Sequence, residues 1–203
     1  MHPGLWGYVF GDSNSTNTPV EQKDGVLVLS YQKLAQGDGD GILRTINPVE
    51  RKIDEIKFFE AKFMLDNQFQ VSDGSIGTII EMAGGDDSWW WFNCHLWGSQ
   101  GSSEVWADCN VDNVVNMDKG VDLSSAGSQP VKSGVWYTFR TEIDPDTAAI
   151  TFYLDGTQIG NYVPDNPDIF KNGTFFLGVT VLTNDSSGLM TGYIDDVRIG
   201  QVQ

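Results

Sequence analysis

The chain has 203 residues, with 28 Asp and Glu against 12 Lys and Arg and a formal net charge of -16. Such a surface repels phosphate backbones and anionic lipid, so no nucleic-acid partner is expected, and with no apolar run near the ~20 residues of a membrane helix, no membrane insertion either. Hydrophobic residues at 40% and charged residues at 20% still provide for a packed core.

Alternation with period two dominates the chain. The start, Met1 to Trp6, has no basic stretch leading into an apolar one, so no signal peptide is read there; a module cut from a larger multidomain secreted protein would begin in the same way. After the turn signal Lys23-Asp24-Gly25, the residues Gly25 to Ser30 read as a short apolar strand. Pro48 to Lys57 reads as a loop or short helix. Lys57 to Leu65 then alternates, with Phe59, Ala61, Phe63 and Leu65 on one face and Glu60 and Lys62 on the other. Further strands are expected at Ser75 to Met82, Ser88 to Gly98, Ser103 to Val111, Val135 to Ile143, Ala149 to Leu154, Thr174 to Val181 and Gly192 to Ile199. Clusters of Gly, Asn, Asp and Pro separate them. Many short strands at this spacing, with no internal repeat and no linker, predict one all-β domain over residues 1–203, a two-sheet antiparallel sandwich.

The segment Trp89-Trp90-Trp91-Phe92-Asn93-Cys94-His95-Leu96-Trp97 carries the most information. Alternation puts Trp90, Phe92, Cys94 and Leu96 on one face and Trp89, Trp91, Asn93, His95 and Trp97 on the other. The following strand divides likewise, with Val105, Ala107, Cys109 and Val111 opposite Glu104, Trp106, Asp108 and Asn110. One hairpin register sets Cys94 against Cys109, His95 against Asp108, Trp97 against Trp106 and Asn93 against Asn110. Directly opposed residues lie within the Cα window of a disulfide, so a Cys94–Cys109 cross-strand bond is predicted, with two adjacent thiols the alternative in a reducing compartment. An oxidised pair implies an extracellular or cell-surface protein.

The polar face of this hairpin joins flat aromatic plates to hydrogen-bonding side chains. A solvent face built for structure alone would use Thr, Lys and Ser, and a core face would not carry Asn, His, Glu and Asp. Rings that stack on the C–H faces of a sugar, beside amides and carboxylates that take its hydroxyls, make this a polysaccharide- or oligosaccharide-binding surface. Its expected members are Trp89, Trp91, Asn93, His95, Trp97, Glu104, Trp106, Asp108 and Asn110.

The run Trp136-Tyr137-Thr138-Phe139-Arg140-Thr141-Glu142-Ile143-Asp144, with Ile150-Thr151-Phe152-Tyr153-Leu154-Asp155-Gly156 after it, resembles the late hairpin of concanavalin A-like jelly rolls. Gly192 to Ile199 resembles their last strand, and Phe58 to Phe63 an earlier outer-sheet strand. That superfamily spans laminin-G-like domains, carbohydrate-binding modules, glucanases and polysaccharide lyases, and the resemblance implies two curved sheets with a concave glycan-binding face. It also places a structural calcium ion near Asp195-Asp196. Asp196 is the first candidate ligand, with Asp12, Asp38 and Asp40 supplying hard oxygens from turns.

Catalytic motifs of such enzymes match poorly. Glu104-Val105-Trp106-Ala107-Asp108 departs from the Glu-x-Asp-x-Glu strand of laminarinase-like glucanases at its middle and final positions. Arg140-Thr141-Glu142-Ile143-Asp144 and Asn93-Cys94-His95 echo alginate-lyase motifs in reversed order, with Asp144 in place of an Arg. The first expectation is therefore a non-catalytic carbohydrate-binding module that docks a neutral polysaccharide. The alternatives are a glycoside hydrolase or polysaccharide lyase working through Glu60, Glu81, Glu104, Asp108 or Glu142, and a laminin-G-like adhesion domain whose Trp face is covered.

Overall fold

A computed structural model describes residues 6–10, 20–32, 39–45, 51–67, 74–84, 88–98, 104–113, 121–122, 128–183 and 189–200. In chain order the strands are β1 (Trp6–Phe10), β2 (Val20–Lys23), β3 (Val26–Gln32), β4 (Gly39–Thr45), β5 (Phe58–Leu65), β6 (Gly74–Ala83), β7 (Trp89–Gly98) and β8 (Val105–Asn113). They continue as β9 (Val121–Asp122), β10 (Gln129–Val131), β11 (Tyr137–Ile143), β12 (Ile150–Leu154), β13 (Thr157–Tyr162), β14 (Thr174–Thr183) and β15 (Leu189–Gly200), with one short helix, α1 (Pro167–Lys171), between β13 and β14. Ile53–Glu55 forms a 3₁₀ turn within the stretch read as a loop or short helix.

The strands form two antiparallel sheets in a jelly-roll sandwich. The larger runs β1-β4-β14-β6-β7-β8-β10 with β9 paired to β8, and the smaller runs β13-β12-β11-β5-β15-β3-β2. Each sheet therefore interleaves strands from early and late in the chain. Asp24 and Gly25 at φ 54° and 89°, and Asp155 and Gly156 at φ 48° and 79°, make the Asp-Gly turns that close β2–β3 and β12–β13.

Phe59, Phe63, Phe139 and Phe152 from the smaller sheet meet Ile76, Ile80, Phe92, Leu96 and Phe175 from the larger, all essentially inaccessible to water. Burial in β5 and β7 alternates strictly, which is the pattern read from their sequences. In β6, every described residue from Gly74 to Met82 is buried, so both of its faces are covered. The α1 helix closes one end of the core. Its Phe170 ring sits 5.3 Å from Trp90 and 5.7 Å from Phe92.

Candidate functional site

The site is built on the face of the larger sheet that points away from the core. Its hairpin has the expected register: Asn93 pairs with Asn110, Cys94 with Cys109, His95 with Asp108 and Trp97 with Trp106. Cys94 and Cys109 are joined by a disulfide on the core face, with their Cα atoms 4.1 Å apart. The alternate residues project outward as rows that run across β14, β6, β7 and β8.

One row holds Phe176, Glu81, Trp91 and Asp112. The next holds Gly178, Ile79, Asn93 and Asn110, and the one after it brings Gly77, His95 and Asp108 together. Ser75, Trp97 and Trp106 form the last. Trp97 and Trp106 stack with ring centroids 6.4 Å apart, and the Trp97 indole donates to Asp108 Oδ2 at 2.9 Å. His95 Nε2 lies 2.9 Å from Asp108 Oδ1, so a buried carboxylate ties His95 and Trp97 in place.

Three polar atoms at the centre of the face are shielded from solvent and have no hydrogen-bond partner among the described residues: Trp91 Nε1, Asn93 Oδ1 and Asn110 Oδ1. One donor and two acceptors in adjoining rows match what the hydroxyls of a sugar supply. Leaving such atoms unpaired in a folded chain costs about 1–3 kcal/mol each, which a bound ligand removes.

Glu81 is 1% exposed, yet by register it belongs to this outward face. Phe176 and Trp89 explain the enclosure. They stand on strands two places apart, about 10 Å at the backbone, yet their rings stack at 5.8 Å. Both must lean over β6, across the position of Glu81 and Ala83. Sequence reading named Glu81 among several carboxylates but did not reach Asp112 or Phe176. The signal available was a lone charge inside the apolar run Thr78-Ile79-Ile80-Glu81-Met82.

The other candidate carboxylates separate from this group. Glu104 is exposed and precedes β8, outside the paired rows. Glu60 and Glu142 lie on the smaller sheet. Arg140 reaches both, at 3.4 Å and 2.7 Å, and Tyr153 donates to Glu142. Burial, then the neighbouring Glu142 charge, hold the Tyr153 phenol above its ordinary value. The two lyase-like echoes thus fall on different sheets, with Arg140 to Ile143 on β11 and Asn93 to His95 on β7.

Of the residues expected to hold calcium, Asp196 is engaged by basic side chains. Asp196, at φ 50° in a bulge of β15, is bound by Lys62 and Arg198, and the Lys62 hydrogen bond keeps its carboxyl below the usual range. Asp12 and Asp38 lie outside the described residues, and Asp40 pairs with Leu182 in the backbone ladder. Among the described residues, no group of three or more His, Cys, Asp or Glu is arranged to hold a metal ion.

No family model matches the sequence, and no curated protein matches it. Solved structures do match its fold. An alginate lyase of Pseudomonas aeruginosa is 10% identical, with a TM-score of 0.66 over 98% of both chains. A laminarinase of a Flavobacterium species is 10% identical, with a TM-score of 0.57 over 96% of this chain and 93% of its own. A β-glucanase of Bacillus licheniformis is 14% identical, with a TM-score of 0.56 over 98% of this chain and 93% of its own. The chain therefore has the concanavalin A-like jelly-roll fold that its sequence resembles. The expectation of a non-catalytic binding module, and the leaning against an enzyme, are corrected here. These similar structures are polysaccharide-cleaving enzymes, which favours the enzymatic alternative over the binding module.

Proposed function

We propose that this chain cleaves a neutral polysaccharide by hydrolysis on the outward face of the larger sheet. One observation carries the reading: Glu81, a carboxyl enclosed on the ligand-facing side of the sheet, shares a row with Asp112 across Trp91. A sandwich core has no use for a carboxyl on that side, and enclosed carboxyls gather at functional sites.

Two strand spacings put the Glu81 and Asp112 backbones about 10 Å apart. Side chains directed to the same side suit the ~6.5–9.5 Å of an inverting carboxyl pair. A sugar stacked on Trp91 lies between them. One carboxyl gives its proton to the glycosidic oxygen as the C1–O bond breaks. The other takes a proton from the water whose oxygen bonds to C1 from the opposite face. Asn93 and Asn110 accept from the sugar's hydroxyls, and the Trp97–Trp106 stack holds a further residue of the polymer.

Hydrolysis is favoured over a lyase reaction by charge. Lyases act on acidic polymers, whereas this face carries Glu81, Asp108 and Asp112 against His95, which is paired to Asp108, and Arg44, which by register joins the row of Asn93 and Asn110. A net charge of -16 adds to that repulsion. The disulfide fits an oxidising compartment, and we place the enzyme outside the cell.

The test is reducing-end release from β-1,3-glucan, mixed-linkage glucan, cellulose and mannan, with alginate alongside. Glu81→Gln and Asp112→Asn should each lower the rate about 10²–10⁴-fold, and NMR of the first product should show inverted anomeric configuration. A retained anomer would remove Asp112 from the pair. Unsaturated ends from alginate, or full activity in Glu81→Gln, would overturn the proposal.

A further inference from the structure

A cavity of about 400 Å³ opens at the end of the sandwich, where the start of β7, the end of β13 and α1 converge. It lies within the ~300–1,000 Å³ of small-molecule sites. Trp90, Tyr162 and Phe170 line it, with ring centroids 5.3–6.1 Å from one another, and Ile169 and Pro164 complete the apolar wall. Trp90 belongs to the core face of β7, so this cavity and the row of Glu81 lie on opposite sides of the larger sheet.

Polar groups stand at the mouth. Asp165 and Asn166 are exposed there. The Asn166 side-chain oxygen accepts the Asp168 N–H at 3.2 Å, which leaves its NH₂ half to donate. The Tyr162 phenol O–H donates as well, and burial, then the charge of Asp165, raise it above its ordinary value. Trp90 and Phe170 are 8% and 1% exposed and form the floor, so the accessible apolar surface is that of Tyr162 and Ile169, with donors and an acceptor at one rim.

We propose that this cavity is a second carbohydrate site, holding one or two residues of the same neutral polymer and tethering the enzyme to it. The proposal rests on the functional reading above. An ammonium ligand would use the rings and Asp165 but leave the Asn166 and Tyr162 donors unused, whereas a sugar uses all of them. The carboxylate disfavours an anionic occupant.

The experiment is isothermal titration of Glu81→Gln protein, which binds without turnover, using laminaritetraose, cellotetraose and mannotetraose in turn. Asp165→Trp fills the mouth from an exposed position, and Asp165→Ala removes the acceptor without filling it. Trp106→Ala disables the catalytic face. Two sites in the parent are expected. One should be lost on Asp165→Trp and weakened about tenfold by Asp165→Ala, and the other lost on Trp106→Ala. A single site that survives Asp165→Trp and disappears with Trp106→Ala overturns the second site and leaves the catalytic face standing. A single site with the reverse behaviour overturns the catalytic face instead. No binding to any of the three sugars overturns both.

Discussion

At Gly77 an added Cβ would sit 1.9 Å from the Cys94 carbonyl oxygen and 2.6 Å from the His95 Cα. Both are backbone atoms, so β6 and β7 would have to part. The cost falls where the rows of the site are assembled, and Gly77→Ala should lose about 1–3 kcal/mol of stability by overpacking. It should also lose most activity, because displaced backbone carries Asn93 and His95 with it. A thermal melt beside the activity assay checks this, and an unchanged melting temperature would mean that the strands are not so closely apposed. Glu81, two positions from Ile79 on the same face, was the hardest residue to place from sequence. Alternation identifies a face only when one side of a strand is wet, and β6 is dry on both.

Among the elements, the β7–β8 hairpin was the most legible. Two cysteines, two tryptophans and a His–Asp pair each demand one register, and all demand the same one. β4 and β13 were missed for opposite reasons. Gly39-Asp40-Gly41 reads as a turn although it begins a strand, and Thr157 to Tyr162 is too polar and exposed for alternation to stand out. The end cavity was illegible because Trp90 meets residues some seventy positions later in the chain. The disulfide closes a separation of 15 residues, for which chain entropy gives about 3 kcal/mol. Replacing both cysteines with Ala should therefore lower the melting temperature by roughly 6–12 °C in a chain of this size. Sugar affinity should fall as well, since Asn93 and Asn110 stand next to the bond. A melt and a titration on the double variant read both effects, and unchanged values would show that strand pairing alone holds the hairpin.

Over the whole molecule, charge sets the response to acid. Acidic residues number 28 against 12 basic ones, so the folded chain repels itself at neutral pH. Added salt screens that repulsion, and the melting temperature at neutral pH should climb with it. Two carboxyls govern the response to acid. Asp144 is held below the ordinary carboxylate range by the N–H groups of Thr147 and Asp146, and Asp196 by Lys62. A depressed folded value contributes stability above the unfolded value and loses it as the pH falls through the folded one, so the curve should turn down below about pH 4. Melts at several pH values, with and without high salt, separate the two: salt should raise the neutral-pH melt and leave the acid fall. No rise with salt would remove self-repulsion from the account.

The covalent link between β7 and β8 lies on one side of the sheet and the outward side chains on the other. A slip of one residue would turn every outward ring inward, and the sulfur bridge forbids it. Trp91, Asn93 and Asn110, which take no part in the His95–Asp108 and Trp97–Trp106 contacts, are thereby relieved of aligning the strands. They form a cassette that can be exchanged one side chain at a time, so this hairpin is a ready starting point for directed evolution of the proposed site.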